Sequence, residues 1–212
     1  PSLSEETQLN RDIKILEYTG GKLHIPTISC KSSVDLIRQA KNKGLNISCS
    51  VAIHNLIFNE EKLQDFDTRY KVLPPLRTEL DRKALIKGVE DGTIDMVTSD
   101  HSPIDIDNKK MDIDNAEYGT IGLESFFGAL LNIFNLEKTI EILTSGKSRF
   151  GIKDHTIEEG SVSNISLFTI DKQYAFSKSN ILSKSKNSAF LGAKMKGRPL
   201  GIIVEEKCLI NE

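Results

Sequence analysis

The sequence lacks the features that would define a membrane, secreted or nucleic-acid-binding protein. No apolar run approaches the roughly 18 residues that are needed to span a bilayer. The first residues, P-S-L-S-E-E-T, are acidic and lack the basic-then-apolar pattern of a secretory signal. A net charge of -2 gives no electrostatic reason to expect nucleic acid or an anionic membrane as a partner. We therefore expect an ordinary soluble protein without nucleic-acid or membrane partners.

Cysteine is scarce, and its spacing argues against a disulfide framework. Cys30, Cys49 and Cys208 are an odd number of thiols and form no C-x-x-C pair. This pattern predicts a reducing, cytoplasmic setting. Cys30 and Cys49 are soft metal ligands in principle, but we favour the interpretation that they are small buried side chains.

The chain also lacks an initiator Met and opens directly on a helix signal. Ser2 and Glu5 have the spacing of a capping box, in which each side chain bonds a free amide of the first helical turn. An apolar stripe runs to Leu16, and Gly20 predicts the end of the helix. We expect the chain to begin partway through a longer gene product.

Strand and helix signals then alternate as far as residue 100. Short apolar stretches predict strands at 22–29, 47–53 and 94–99. Helix signals begin at Ser33 and again at Thr78, where Asp81 completes a capping box and Leu80 and Leu85 are predicted on the buried side. Because alternating strands and helices need crossover connections, we predict parallel strands covered by helices, an α/β fold.

The character of the chain changes in its last third. A polar loop, two helices and then several short β-rich stretches are predicted at 104–117, 123–135, 136–144, 166–170, 189–192 and 200–204. A boundary near residue 156 would separate an α/β domain, 1–156, from a β-segment, 157–212. Lysines between 178 and 198 are compatible with an anion-binding patch, but a solvated face is the favoured interpretation.

The predicted strand ends carry the side chains with chemical potential. Reactive groups in parallel α/β folds lie at the carboxyl ends of strands, where the loops converge. His54 and Asp100 each follow a predicted strand. Imidazole and carboxylate are ordinary zinc ligands, and the carboxylate could also act as a general base. The sequence therefore predicts a candidate metal site at these two residues.

Each candidate also has a structural interpretation. His54 could be a core histidine bonded to the backbone, and Asp100 could cap the turn that follows it, because S-D-H-S-P has turn composition. His24 lies within a predicted strand and is interpreted as structural. His155 lies in a polar loop, and we assign it no specific role.

Six motifs along the chain carry a family resemblance. In chain order they are G-G-K-L-H-I-P-T-I-S (20–29), S-V-A-I-H-N-L (50–56), Y-K-V-L-P-P-L-R (70–77), D-G-T-I-D-M-V-T-S-D-H (91–101), G-T-I-G-L-E-S (119–125) and S-K-S-K-N-S-A-F-L-G (183–192). Together they resemble dihydroorotase, the amidohydrolase of pyrimidine biosynthesis. The order and the spacing of P-P-L-R, D-G-T-I-D and S-D-H make this resemblance more specific than any single motif.

The resemblance implies a fold, a reaction and roles for two residues. The fold would be the C-terminal half, strands five to eight, of a TIM-like (β/α)8 metal-dependent hydrolase barrel plus part of a small β-sandwich domain. The reaction would be the reversible cyclisation of N-carbamoyl-L-aspartate to dihydroorotate at a zinc centre. By resemblance, His54 is a metal ligand, and Asp100 binds metal and carries the proton.

Three positions depart from the family pattern. Thr27 stands where the family has a zinc-binding histidine, and a threonine hydroxyl is a poor zinc ligand. Leu73 and Ile104 replace the polar residues that would bind the substrate. Zinc binding is therefore expected to be weak or absent in this chain taken alone, and so is activity.

The family's first half, with its remaining metal ligands, has no counterpart here. Because a half barrel leaves strand edges open, we expect this chain to pack with a missing N-terminal half or to form a homo-oligomer. An active assembly would bind a small-molecule substrate. Two alternatives stay open: a non-catalytic dihydroorotase-like subunit that scaffolds aspartate transcarbamoylase, and a relative of hydantoinase or allantoinase.

Overall fold

The computed structural model describes residues 1–152 and 157–210, which divide into two compact units. Unit 1 comprises Pro1–Leu123 and Ile181–Ala189, and unit 2 comprises Glu124–Asn180 and Phe190–Glu212. The expected domain boundary near residue 156 and His155 both lie outside the described residues. In the described part of the chain, no helix combines the length and apolar character that a membrane span requires.

Unit 1 contains a three-stranded parallel sheet with helices between its strands. Its helices and strands are α1 (Ser2–Thr19), β1 (Leu23–Ile25), α2 (Lys31–Asn42), β2 (Ile47–Ala52), α3 (Ile53–Ile57), α4 (Glu79–Glu90) and β3 (Met96–Thr98). The strand order is β1-β2-β3, and both pairings are parallel. The predicted α/β pattern is confirmed. All six residues of β2 are buried, so this central strand forms the middle of the core.

The predicted capping boxes have different outcomes at the two helices. At α4, Thr78 and Asp81 form the box, and Leu85 is buried. The predicted burial of Leu80 is wrong, because this side chain at the start of α4 is 74% exposed. At α1 the predicted box of Ser2 and Glu5 is wrong: Pro1 is the N-cap, and no side chain caps the helix.

Glu5 instead binds the segment that joins β1 to α2. Its carboxylate accepts hydrogen bonds from the Ser29 amide at 2.8 Å, the Ser29 hydroxyl at 2.5 Å and the Ser33 hydroxyl at 2.6 Å. Arg77 lies 3.7 Å from the same carboxylate and donates from Nε to the Ser29 hydroxyl at 3.0 Å. A charged acceptor with several donors is stronger than a local cap, which explains why Glu5 does not bond its own helix.

The two buried thiols confirm the interpretation of Cys30 and Cys49 as small core residues. Both side chains are 0% exposed. Burial raises the pKa of the Cys30 thiol to about 11 and that of the Cys49 thiol to about 12. Both therefore stay protonated at neutral pH, a form that neither attacks electrophiles nor binds metal well.

Two lysines hold the polar loop 104–117 against the preceding chain. Lys71 donates to the carbonyl of Ile113 at 2.5 Å and to the next carbonyl at 3.0 Å. Lys109 is 2% exposed and donates to the carbonyls of Glu117 at 2.7 Å and Lys71 at 3.2 Å. The loop forms turns, as its composition predicts, and these bonds fix its path.

Unit 2 combines two helices with an antiparallel sheet. Its helices and strands are α5 (Leu123–Ile133, whose first residue belongs to unit 1), α6 (Leu136–Ser145), β4 (Asn164–Ala175), β5 (Lys194–Val204) and β6 (Lys207–Ile210). The sheet order is β4-β5-β6. The strands predicted at 166–170 and 200–204 are confirmed. The strand predicted at 189–192 is wrong, because these residues form a turn in which Gly192 has a φ of 85°.

Lys109 gives the stability of the chain a distinctive pH dependence. Burial, and then the nearby Lys71 ammonium, lower the pKa of Lys109 from 10.5 to about 8. Between pH 8 and pH 10.5 the Lys109 side chain is protonated in the unfolded chain but deprotonated in the folded chain. The free energy of unfolding therefore rises with pH in this range. We expect the wild type to gain about 1–3 kcal/mol relative to Lys109→Met between pH 8 and pH 10. Urea unfolding of both proteins at the two pH values measures the gain, and a constant or falling difference would contradict it.

Candidate functional site

His54 and Asp100 meet because their strands are paired. In β2 and β3, Ala52 lies opposite Thr98 in a parallel register. His54 and Asp100 each lie two residues beyond this pair, His54 in the short helix α3 and Asp100 in the loop after β3. His54 Nε2 and Asp100 Oδ2 are 3.8 Å apart. The two residues singled out in the sequence therefore face each other at the carboxyl edge of the sheet.

The imidazole of His54 is buried and makes no hydrogen bond within the described residues. Its side chain is 0% exposed, and neither Nδ1 nor Nε2 has a partner there. Burial lowers the pKa of His54 to about 4, so the ring is neutral at pH 7, the form that ligates metals. The alternative interpretation, a core histidine bonded to the backbone, requires a bond that this part of the structure does not contain.

The Asp100 carboxylate is half-buried and lies on an unusual backbone. Its side chain is 28% exposed, and burial raises the pKa of its carboxyl group. The backbone φ of Asp100 is 43°, in the left-handed region. The alternative turn-capping role needs bonds from the following amides to the carboxylate, but the Ser102 amide donates to the Thr120 carbonyl at 2.9 Å instead. This conformation instead directs the carboxylate toward His54.

The three positions that depart from the family pattern differ in burial and contacts. Thr27 is half-buried, has a φ of 45° and donates its amide to the Ser50 hydroxyl at 3.1 Å. Leu73 precedes a cis proline and is 64% exposed. Ile104 is half-buried, and its carbonyl accepts a bond from Ser185 at 2.7 Å. None of these three side chains offers the polar group that the resemblance leads one to expect.

His24 has the structural role that its position in a strand indicates. Its Nδ1 lies 2.8 Å from the hydroxyl of Ser48 on the neighbouring strand β2. This contact joins two paired residues of the sheet, because His24 is opposite Ser48 in the β1–β2 register. The imidazole is therefore engaged in the sheet, unlike that of His54.

His54 and Asp100 are chemically suited to part of a metal's ligand sphere. A neutral, unbonded imidazole beside a carboxylate fits two positions of a metal's ligand sphere. No group of three or more His, Cys, Asp or Glu side chains with metal-binding geometry occurs among residues 1–152 and 157–210. Because zinc takes four ligands, His54 and Asp100 fit the metal only if other groups complete the site.

Two further features were not predicted from the sequence. One is the bonding of Glu5 to Ser29, for which the only signal was an acidic residue in the first turn of a helix. The other is His101, whose Nδ1 accepts hydrogen bonds from the amides of Gly122 at 3.4 Å and Leu123 at 3.3 Å. The two glycines of G-T-I-G were a signal for the second feature, since glycine often marks a close backbone approach.

Named relatives cover almost the whole chain. Dihydroorotase from Endomicrobium trichonymphae is 36% identical over 212 residues, which are 96% of this chain and 50% of that protein. Dihydroorotase from Desulforapulum autotrophicum is 34% identical over 214 residues, which are 99% of this chain and 50% of that protein. The chain is homologous to the C-terminal half of dihydroorotases. It spans about half the length of the curated relatives it matches, and no family model matches it.

Solved structures of hydantoinases share the fold of this chain. L-hydantoinase from Arthrobacter aurescens superposes with a TM-score of 0.91 over 100% of this chain and 49% of its own, at 24% identity. A D-hydantoinase superposes with a TM-score of 0.88 over 100% of this chain and 50% of its own, at 22% identity. At these identities the match establishes the α/β fold alone, whereas the sequence itself is nearer to dihydroorotases.

The ring of His54 makes no hydrogen bond within residues 1–152 and 157–210, which predicts an unusual response to substitution. Replacing it in His54→Leu removes a buried polar group without breaking a hydrogen bond, so the free energy of unfolding of the chain should stay constant or rise by up to about 2 kcal/mol. Urea unfolding at pH 7 measures this change.

His24→Leu is the matched control, because it makes the same chemical change but breaks the bond to Ser48. It should lower the free energy of unfolding by about 1 kcal/mol or more. If His54→Leu destabilised the chain as much as His24→Leu does, the imidazole would have a structural partner and the ligand interpretation of His54 would fail.

Proposed function

We propose that this chain is the C-terminal half of a zinc-dependent dihydroorotase, which interconverts dihydroorotate and N-carbamoyl-L-aspartate. The observation that carries the proposal is the pair of His54 and Asp100, 3.8 Å apart at the carboxyl edge of a parallel sheet. The His54 imidazole is buried, neutral and without a hydrogen bond in the described residues, so its ring nitrogens are available as metal ligands. The naming of the relatives as dihydroorotases supports the reaction assigned to it.

In this proposal His54 and Asp100 have different roles. His54 would hold the metal through one ring nitrogen, because its burial keeps the ring neutral. When bound, zinc would supply a polarised carbonyl and a hydroxide at neutral pH. Asp100 would help to hold the metal; its carboxylate accepts a proton from the attacking water and returns it to the amide nitrogen that leaves in ring opening. The half-buried position of Asp100 raises its pKa and so suits it to carry a proton.

The proposal also includes the (β/α)8 barrel and the partner that completes it. In unit 1, β1 and β3 lie at the two edges of the described parallel sheet, and open edges of buried parallel strands are costly. In unit 2, the exposed side chains of Ile202 and Leu209 lie opposite each other on β5 and β6. A first barrel half, in the same chain or as a second one, would cover these surfaces and supply the remaining metal ligands.

The alternative of a non-catalytic subunit that scaffolds aspartate transcarbamoylase would explain why Thr27, Leu73 and Ile104 lack the zinc-binding or substrate-binding groups that the resemblance implies. The named relatives give it no support, since those reported above carry the name of the enzyme. A ring-opening assay with zinc analysis separates the two functions.

The assay compares the 212-residue chain with the completed protein. The chain alone should show no turnover of dihydroorotate and no stoichiometric zinc, because it supplies two ligands. The completed protein should bind zinc and turn over, and Asp100→Asn should lower its kcat by about 100-fold or more. Asp105→Asn, in the exposed loop, is the matched control. A completed protein without zinc or turnover that binds aspartate transcarbamoylase would overturn the proposed enzyme.

Thr27→His offers a gain-of-function test of the same site. A β-branched residue is strained at a φ of 45°, whereas histidine is enriched in this region, so the substitution should be tolerated. We expect zinc affinity of the completed protein to rise about tenfold or more, as an added imidazole joins His54. Thr27→Asn relieves the same strain without adding a good ligand and is the control. Equal zinc affinity of both variants would place Thr27 outside the metal site.

A further inference from the structure

The backbone of Asp100 has to be held in place by its surroundings. Left-handed φ angles such as its 43° are uncommon for residues other than glycine and cost energy, even though aspartate tolerates them better than most. Such a conformation persists only where neighbouring contacts determine it. The contacts on either side of Asp100 therefore decide where its carboxylate points.

The first set of contacts comes from residues 119–123, which we call the bracing segment. Thr120 forms a parallel bridge with His101, and its carbonyl accepts the Ser102 amide at 2.9 Å. At Gly122, an added Cβ would lie 2.2 Å from the carbonyl oxygen of Ser99, so only glycine fits there. The bracing segment thus contacts the chain immediately before and immediately after Asp100.

The second set of contacts fixes the bracing segment itself. Residues 185–189, which we call the returning segment, come back to unit 1 after the chain has formed most of unit 2. The amide of Ile121 donates to the Asn187 carbonyl at 3.0 Å, and Asn187 Nδ2 donates to the Gly119 carbonyl at 3.1 Å. The Ala189 amide donates to the Thr120 hydroxyl at 2.8 Å.

These bonds are shielded from water. The side chains of Thr120 and Asn187 belong to residues that are 0% and 1% exposed. A buried amide that loses its acceptor has no water to replace it, so each bond constrains the segment strongly. The returning segment and the bracing segment therefore form one continuous buried support behind the loop that carries Asp100.

We infer that Thr120 and Asn187 are positioning residues, which hold Asp100 in its left-handed conformation facing His54. This inference rests on the proposed catalytic role of Asp100. It assigns a role to the S-K-N-S-A stretch (185–189) that the proposed function leaves unexplained. Neither residue needs to touch substrate or metal, because each acts through the backbone on either side of Asp100.

Thr120→Val tests the support directly, since valine keeps the shape of threonine but removes the acceptor for the Ala189 amide. Hydrogen–deuterium exchange of the 212-residue chain should become about tenfold faster or more in residues 99–104 as well as at Ala189. Thr120→Ser retains the hydroxyl and should exchange like the wild type. Thr19→Val, on the exposed face of α1, makes the same change away from the site and should leave residues 99–104 unaffected. Faster exchange confined to Ala189 would overturn the inference.

Kinetics of the completed protein provide the second readout. Thr120→Val should lower kcat for ring opening by about 10–100-fold and leave KM nearly unchanged, because a small displacement of a catalytic group affects the chemical step. Thr120→Ser should restore kcat. Ser188→Ala, a milder change that removes a donor to the Ile121 carbonyl at 3.2 Å, should lower kcat in the same direction. An unchanged kcat in Thr120→Val would overturn the inference.

Hydrogen–deuterium exchange and kinetics together distinguish an error in this inference from an error in the proposed function. If the wild-type completed protein did not turn over dihydroorotate, the proposed function would fail and so would the catalytic role of Asp100. If the wild type were active but Thr120→Val exchanged and reacted like the wild type, the proposed function would stand and the positioning role would be overturned.

Discussion

The parallel pairing of β2 with β3 is the constraint on which the candidate site depends. Its register places Ala52 opposite Thr98. His54 and Asp100 each follow two residues beyond this pair. A shift of one residue would reverse the direction of every side chain on a strand and separate His54 from Asp100. All six residues of β2 are buried, so a slip would disrupt the packing of side chains on both faces of the strand.

Two features of the candidate site destabilise the folded chain. A buried imidazole without a hydrogen bond in the described residues and a carboxylate on a left-handed backbone are both unfavourable by themselves. The surrounding elements are bonded more fully: Glu5 gathers several donors around Ser29, and the amides of Gly122 and Leu123 point at His101. Such a contrast between a strained site and a well-bonded frame is typical of functional centres.

The features that depend on local chemistry were predictable from the sequence, and those that depend on distant partners were not. The capping box at Thr78 and the parallel strands follow from short-range patterns, and both are confirmed. The box predicted at Ser2 is wrong because Glu5 finds stronger partners more than twenty residues away. Strand-end spacing indicated His54 and Asp100, but the missing hydrogen bonds of the imidazole and the support from residues 185–189 are tertiary features that no local pattern encodes.

In the proposed function, His54 and Asp100 are two ligands of one zinc ion, and a first barrel half completes the site. A crystal structure of the completed protein, with anomalous scattering recorded at the zinc edge, tests it most directly. We predict a zinc peak about 2.0–2.2 Å from both His54 Nε2 and an Asp100 carboxylate oxygen. A completed protein with no peak at this position, or with zinc held elsewhere and the His54 ring still unliganded, would contradict the account.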